Sequence, residues 1–106
     1  GRYCMIGGLT KVVRDVPPFT LADGHPARIH GLNVVGLRRN GFSQEQRLAV
    51  KRLYRELYDP SSLMKETLAR LEGNSPDDPD IQEILDFIKG SKRGITPWGE
   101  RRERND

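Results

Sequence analysis

A chain of 106 residues, 35% of them hydrophobic and 31% charged, can build one small domain whose core is too slight to make partners or further copies unexpected. Its single cysteine, Cys4, excludes an internal disulfide, and no apolar run nears the roughly 18 residues of a membrane span. With no signal-peptide order at the front, this predicts a soluble cytoplasmic protein without membrane insertion. The net charge of +3 is polarised, because residues 1–58 carry ten Lys/Arg against four Asp/Glu while residues 59–90 carry three against eight. An anionic partner for the front half is expected.

The first element is "IGGLTKVVRDVPPFTLADGHPARI", residues 6–29. Its prolines, glycines and single aliphatics suit neither an ordinary helix nor an ordinary strand. Two hexads fit it, Ile6 to Lys11 and Val12 to Pro17, each with an aliphatic first and a small or β-branched residue fifth. That is the period of a hexapeptide parallel β-helix, although short Gly/Val stretches also make hairpins. Coils of a solenoid bury their interior only against neighbouring coils, so residues 1–30 read as the last coil or coils and an exit loop of something longer.

Helices follow. In "FSQEQRLAVKRLYRELYDP", Ser43 with Gln46 fits a capping box and Phe42 a staple, and Leu48, Ala49, Leu53, Tyr54, Leu57 and Tyr58 recur at helical spacing until Asp59-Pro60. A second helix is predicted from Ser61 or Ser62 to Gly73-Asn74. A third is predicted behind Asp78 as cap and Pro79 at the first helical position, with Ile81, Ile84, Leu85 and Ile88 as its stripe and Gly90 as its stop. Residues 31–95 thus form a three-helix domain, and residues 96–106, with Trp98 as their one aromatic, a disordered tail.

The wording "MIGG", "DVPPF", "ADGHPARIHGLNVVGLRRNGFS" and "KRGI" closely resembles the C-terminal part of the UDP-N-acetylglucosamine 3-O-acyltransferases that begin lipid A synthesis. The resemblance covers Cys4 to Ile95. Its most specific element is N-x-x-G-L-(K/R)-R-x-G-F-S, here residues 33–43. It implies a homotrimer of left-handed parallel β-helices, each followed by a small C-terminal helical domain, with active sites between subunits. It further implies transfer of a 3-hydroxyacyl chain from acyl carrier protein to the 3-position of the sugar of UDP-GlcNAc, with no metal or redox cofactor.

By the same resemblance Asn33 contacts the nucleotide and Arg39 the diphosphate, a task suited to a planar, permanently charged fork. Val35 replaces an acidic residue and Asn40 a basic one, which puts the nucleotide contacts at those two positions in doubt. Arg38 and Arg39 read without the motif are an exposed charged pair. Met5 and Gly8 match the region where the acyl chain ends, and glycine there leaves room for a long chain, though a turn also wants glycine. Arg38, Arg47, Lys51, Arg52 and Arg55 offer a landing surface for the acidic carrier protein, or simply a solvated helix face. The family's catalytic histidine lies upstream of the matched part. His25 reads as a loop residue tolerant of unusual backbone angles, His30 lacks a partner nearby in sequence, and Cys4 is a small interior hydrophobe. The chain alone is therefore expected to be inactive.

Two other classes stay open at this point. One is a stand-alone, non-catalytic trimerisation or protein-interaction module. The other is nucleic-acid binding, which is disfavoured because Tyr54 and Tyr58 lie on the apolar stripe and no nucleic-acid motif is present.

Overall fold

The computed structural model describes residues 1–8, 10–74 and 77–99. Three short strands come first: β1 (Met5–Ile6), β2 (Thr20–Asp23) and β3 (Arg28–Leu32). Four helices follow: α1 (Val34–Arg39), α2 (Gln44–Leu57), α3 (Met64–Asn74) and α4 (Pro79–Gly90). β1 pairs parallel to β2, with Met5 opposite Leu21, and β2 pairs antiparallel to β3 with an irregularity at Leu21/Ala22. Between β1 and β2 the chain makes a non-helical loop whose backbone is still paired: Gly7 N–H donates to Ala22 O at 2.9 Å, and Ala27 N–H to Lys11 O at 2.9 Å. Of the two hexads, the fifth-position Val16 is buried against Ala22 and Ile29, whereas the leading Ile6 and Val12 are exposed, together with Met5 and Val13.

The prolines of "DVPPF" explain how the sheet meets the helices. Pro17 and Pro18 are fully buried, which costs little because neither has an N–H to leave unpaired. Their carbonyls are both used, Pro17 O by the Thr20 hydroxyl at 2.9 Å and Pro18 O by the Tyr54 hydroxyl at 2.6 Å. Phe19, at φ 68, then turns its ring into the main core with Leu37, Val50, Leu53, Tyr54, Leu57, Ile84 and Leu85.

The predicted caps of α2 and α4 are present: Ser43 and Gln46 form the reciprocal box, and Asp78 accepts from Asp80 N and Ile81 N ahead of Pro79. Three expectations need correction. The helix after Pro60 begins at Met64, not at Ser61 or Ser62, because Asp59 Oδ1 accepts from both the backbone and the hydroxyl of Ser61 and holds those residues in a turn. On α2, Leu48 is exposed and Val50 takes its place in the core. The helical part has four helices rather than three, since α1 was not expected.

A further correction concerns the tail. Residues 96–99 are packed: Ile29 N–H donates to Pro97 O and Gly99 N–H to Ile29 O, each at 2.8 Å. The Trp98 ring lies 5.1 Å from Tyr58 and 6.2 Å from Tyr54, and the Tyr58 hydroxyl donates to Thr96 O at 2.7 Å. The rest of that tail, residues 100–106, lies outside the described residues.

Asp15 anchors this returning segment. It accepts from the Ser91 hydroxyl at 2.7 Å and from Arg93 Nε at 3.1 Å, and the Ser91 bond, with Arg93, holds its carboxyl below the usual carboxylate range. A carboxyl depressed by folding adds stability above its unfolded pKa of about 3.9 and loses it as pH falls further. Asp15→Asn is therefore expected to lower the urea midpoint at pH 7, with the gap to the parent protein narrowing below about pH 4. A gap of equal size at pH 7 and pH 3 would mean that the carboxylate charge is not what holds the segment.

Candidate functional site

Residues 33–43 fold as a very short helix with both ends tied. Asn33 caps α1, its Oδ1 accepting from Gly36 N at 3.2 Å while its Nδ2 donates to Tyr3 O at 3.0 Å. Gly36 is glycine because a Cβ there would collide with the Asn33 amide. Leu37 is the buried anchor. At the other end Gly41 N–H donates to Arg38 O and Phe42 N–H to Leu37 O, the paired bonds of a Schellman stop, with Gly41 at φ 84 where a side chain would be strained. Asn40 is the C-cap and its Nδ2 donates to Gly36 O at 2.7 Å. Phe42 packs on Tyr3 and Phe19, and Ser43 starts α2.

Most of the motif is thereby accounted for by folding. Among its side chains, Arg38 and Arg39 are exposed on the last turn of α1 and make no ion pair among the described residues. Val34 and Val35 are exposed beside them. Asn40, whose amide closes the helix, and Asn33, whose amide is used at both ends, carry structural duties that sequence reasoning did not foresee.

Next to α1 lies an open groove of about 680 Å³, lined by His30, Leu32, Val34, Lys51, Arg55 and, from the tail, Trp98, with Tyr54 and Tyr58 also contributing. Lys51 and Arg55, four residues apart on α2, share the flank that reaches it. Arg52 points to the opposite side from the buried Val50, Tyr54 and Leu57. Arg47 is only half exposed and donates from Nη1 to Phe42 O at 2.8 Å. The five basic residues grouped on sequence are therefore not one surface. Burial pushes the Tyr54 and Tyr58 hydroxyls far above the ordinary phenol range, so both remain proton donors to their carbonyls and neither is a base.

His30 stands at the rim of this groove, and His25 sits exposed in the β2–β3 turn, where the left-handed residue is Gly24 (φ 104) rather than His25. Cys4 packs against the small cluster of Val16, Ala22 and Ile29. Met5 is exposed on β1. The two neighbouring glycines differ: a Cβ on Gly7 would strike Asp23, whereas one on Gly8 meets nothing and the backbone there is not left-handed. Among the described residues no three His, Cys, Asp or Glu side chains are grouped as metal ligands, and no helix is long and apolar enough to cross a membrane.

Residues 15–96 match the family model described as UDP N-acetylglucosamine O-acyltransferase, domain 2. An acyl-(acyl-carrier-protein)–UDP-N-acetylglucosamine O-acyltransferase of Thiobacillus denitrificans is 41% identical over 95 residues, covering 90% of this chain and 37% of the relative. One from Burkholderia mallei is 38% identical over 99 residues, covering 90% and 38%. Among solved structures, the UDP-N-acetylglucosamine acyltransferase of Campylobacter jejuni superposes with a TM-score of 0.83 at 32% identity over 93% of this chain and 38% of its own. The Moraxella catarrhalis O-acyltransferase gives 0.80 at 38% identity over 90% and 37%. The chain spans well under half the length of the relatives it matches.

Proposed function

We infer the role of this chain from its family: it belongs to the UDP-N-acetylglucosamine O-acyltransferases, matching domain 2 of that family over residues 15–96. We propose that the full-length protein is a cytoplasmic acyltransferase that moves a 3-hydroxyacyl chain from acyl carrier protein to the 3-position of UDP-GlcNAc, the first step of lipid A synthesis. This chain supplies binding surface, and the catalytic base comes from outside it. The observation that carries the reading is the pair Arg38–Arg39, the part of the family motif that the fold itself does not use, exposed beside a groove edged with cations. Arg39 binds the diphosphate and Asn33 holds the segment that presents it, with its remaining amide capacity available to the nucleotide. Asn40 and Val35 contribute less, the first because its amide is spent on the cap.

The parallel pairing of Met5 with Leu21, sixteen residues apart and joined without a helix, supports reading residues 1–30 as the end of a left-handed hexapeptide β-helix. The exposed row of Met5, Ile6, Val12 and Val13 supports a further coil and sister subunits of a homotrimer as its cover. Gly8, free of steric and backbone reasons to be glycine, supports room for a long acyl chain near Met5.

Lys51 and Arg55 form the carrier-protein landing site, with Arg38 and Arg52 as outlying charges. Replacing both Lys51 and Arg55 by Glu in the full-length protein is expected to raise the KM for acyl carrier protein on the order of tenfold, as added salt would, and to move that for UDP-GlcNAc less. Equal carrier KM values before and after reversal would leave the pair as a solvated helix face.

A further inference from the structure

Arg47, which the sequence groups with the docking charges, lies at the joint that positions Arg38 and Arg39. α1 has only six residues, too few to hold its own direction, so its ends decide where its last turn points. The N-terminal end is tied to Tyr3 through Asn33. The C-terminal end is joined to α2 through Phe42, a residue that serves two helices at once: its N–H closes α1 on Leu37 O at 3.0 Å, and it directly precedes the Ser43 cap of α2.

A residue in that place ahead of a helix is ordinarily held by an apolar side chain at the fourth helical position. Here the fourth position of α2 is Arg47, and in place of an apolar contact its Nη1 donates to the Phe42 carbonyl at 2.8 Å. Arg47 is half-buried, unlike Arg52 and Arg55 on the same helix, and the Phe42 ring is left free to pack on Tyr3 and Phe19. Arg47 thus links the joint of the two helices, and through it the angle between the Arg38–Arg39 turn and the Lys51–Arg55 flank.

We propose that Arg47 is a positioning residue for the nucleotide site: it fixes the α1–α2 joint so that Arg39 is presented to the diphosphate, and it is not part of the carrier-docking surface. The inference rests on the nucleotide reading given above. It differs from that reading in predicting which substrate is affected when a residue remote from the phosphate is changed.

The test uses Arg47→Met, which keeps the stem and removes both charge and donors, and Arg47→Lys, which keeps a charge and one flexible donor, in the full-length protein. Arg47→Met should weaken UDP binding about fivefold, the worth of one hydrogen bond to a partly buried carbonyl, and raise the KM for UDP-GlcNAc alike. kcat and the carrier KM should stay as in the parent. Amide exchange at Asn40, Gly41 and Phe42 should quicken while that in α4 is unchanged. Arg47→Lys should fall between. A raised carrier KM with unchanged UDP affinity and unchanged exchange would make Arg47 a docking charge and overturn the proposal. So would faster exchange with unaltered UDP affinity, provided Arg39→Ala weakens UDP binding in parallel. If Arg39→Ala also leaves UDP affinity unaltered, the nucleotide reading itself is at fault and the inference falls with it.

Discussion

Arg39→Ala in the full-length protein is expected to weaken UDP-sugar binding ten- to a hundredfold, the equivalent of roughly 1.5–3 kcal/mol for a charge-assisted contact. The magnitude follows from what the fold leaves undone. Of the other polar groups that end α1, the Asn33 and Asn40 amides and the N–H groups of Gly41 and Phe42 are paired. Arg39 is exposed on that turn without an ion pair among the described residues, so none of those residues discharges its positive field before an anion arrives. Its removal should also leave the melting temperature within a degree or two, because no described packing depends on it. Calorimetric titration with UDP separates the outcomes. Unaltered affinity would reduce Arg39 to a surface charge, while a large loss of stability would show it to be part of the fold.

Tyr54→Ala should destabilise the protein by about 3–5 kcal/mol, the cost of emptying a buried aromatic site. The ring is fully buried at the centre of the main cluster and touches both Tyr58 and Trp98. For a domain of this size that corresponds to a fall of at least roughly 12 °C in Tm. Tyr54→Phe isolates the hydroxyl. It keeps the ring but strands the carbonyl of buried Pro18, to which Tyr54 donates at 2.6 Å, at a cost of about 1–3 kcal/mol. Because burial keeps the Tyr54 phenol protonated far beyond neutral pH, this contribution should not vary between pH 5 and pH 9. A Phe variant as stable as the parent would show that the Pro18 carbonyl finds another donor.

The legible parts of the site were those written within a few residues of one another. Arg39 was singled out by the motif around it and remains exposed and unspent. Arg47, Lys51, Arg52 and Arg55 were grouped because they follow one another along one helix, yet Arg47 turns back to Phe42 and Arg52 points away, which the helical period alone would suggest only for Arg52. The resemblance marks Asn33 only as a nucleotide contact, and its use as a cap is not legible because a helix of six residues has no periodicity to announce it. Phe42 is expected as a staple; its ring packs on Tyr3 and Phe19, and its link to the fourth position of α2 is a hydrogen bond from Arg47 rather than an apolar contact.

By itself the sequence determined the local architecture: the Ser43–Gln46 box, the Asp78–Pro79 start, the stops near Asp59 and Gly90, and a front segment that is neither helix nor simple hairpin. Such features depend on groups within about one helical turn, so the order of residues specifies them. Tertiary structure alone decided the pairings between residues 3 and 33, 15 and 91, 18 and 54, and 58 and 96, and the docking of Trp98 beside β3. Those contacts join segments whose own spelling does not distinguish a packed tail from a loose one. Their burial becomes favourable only when the distant surface, here the Tyr54–Tyr58 face of α2, is already in place to exclude water from the incoming ring.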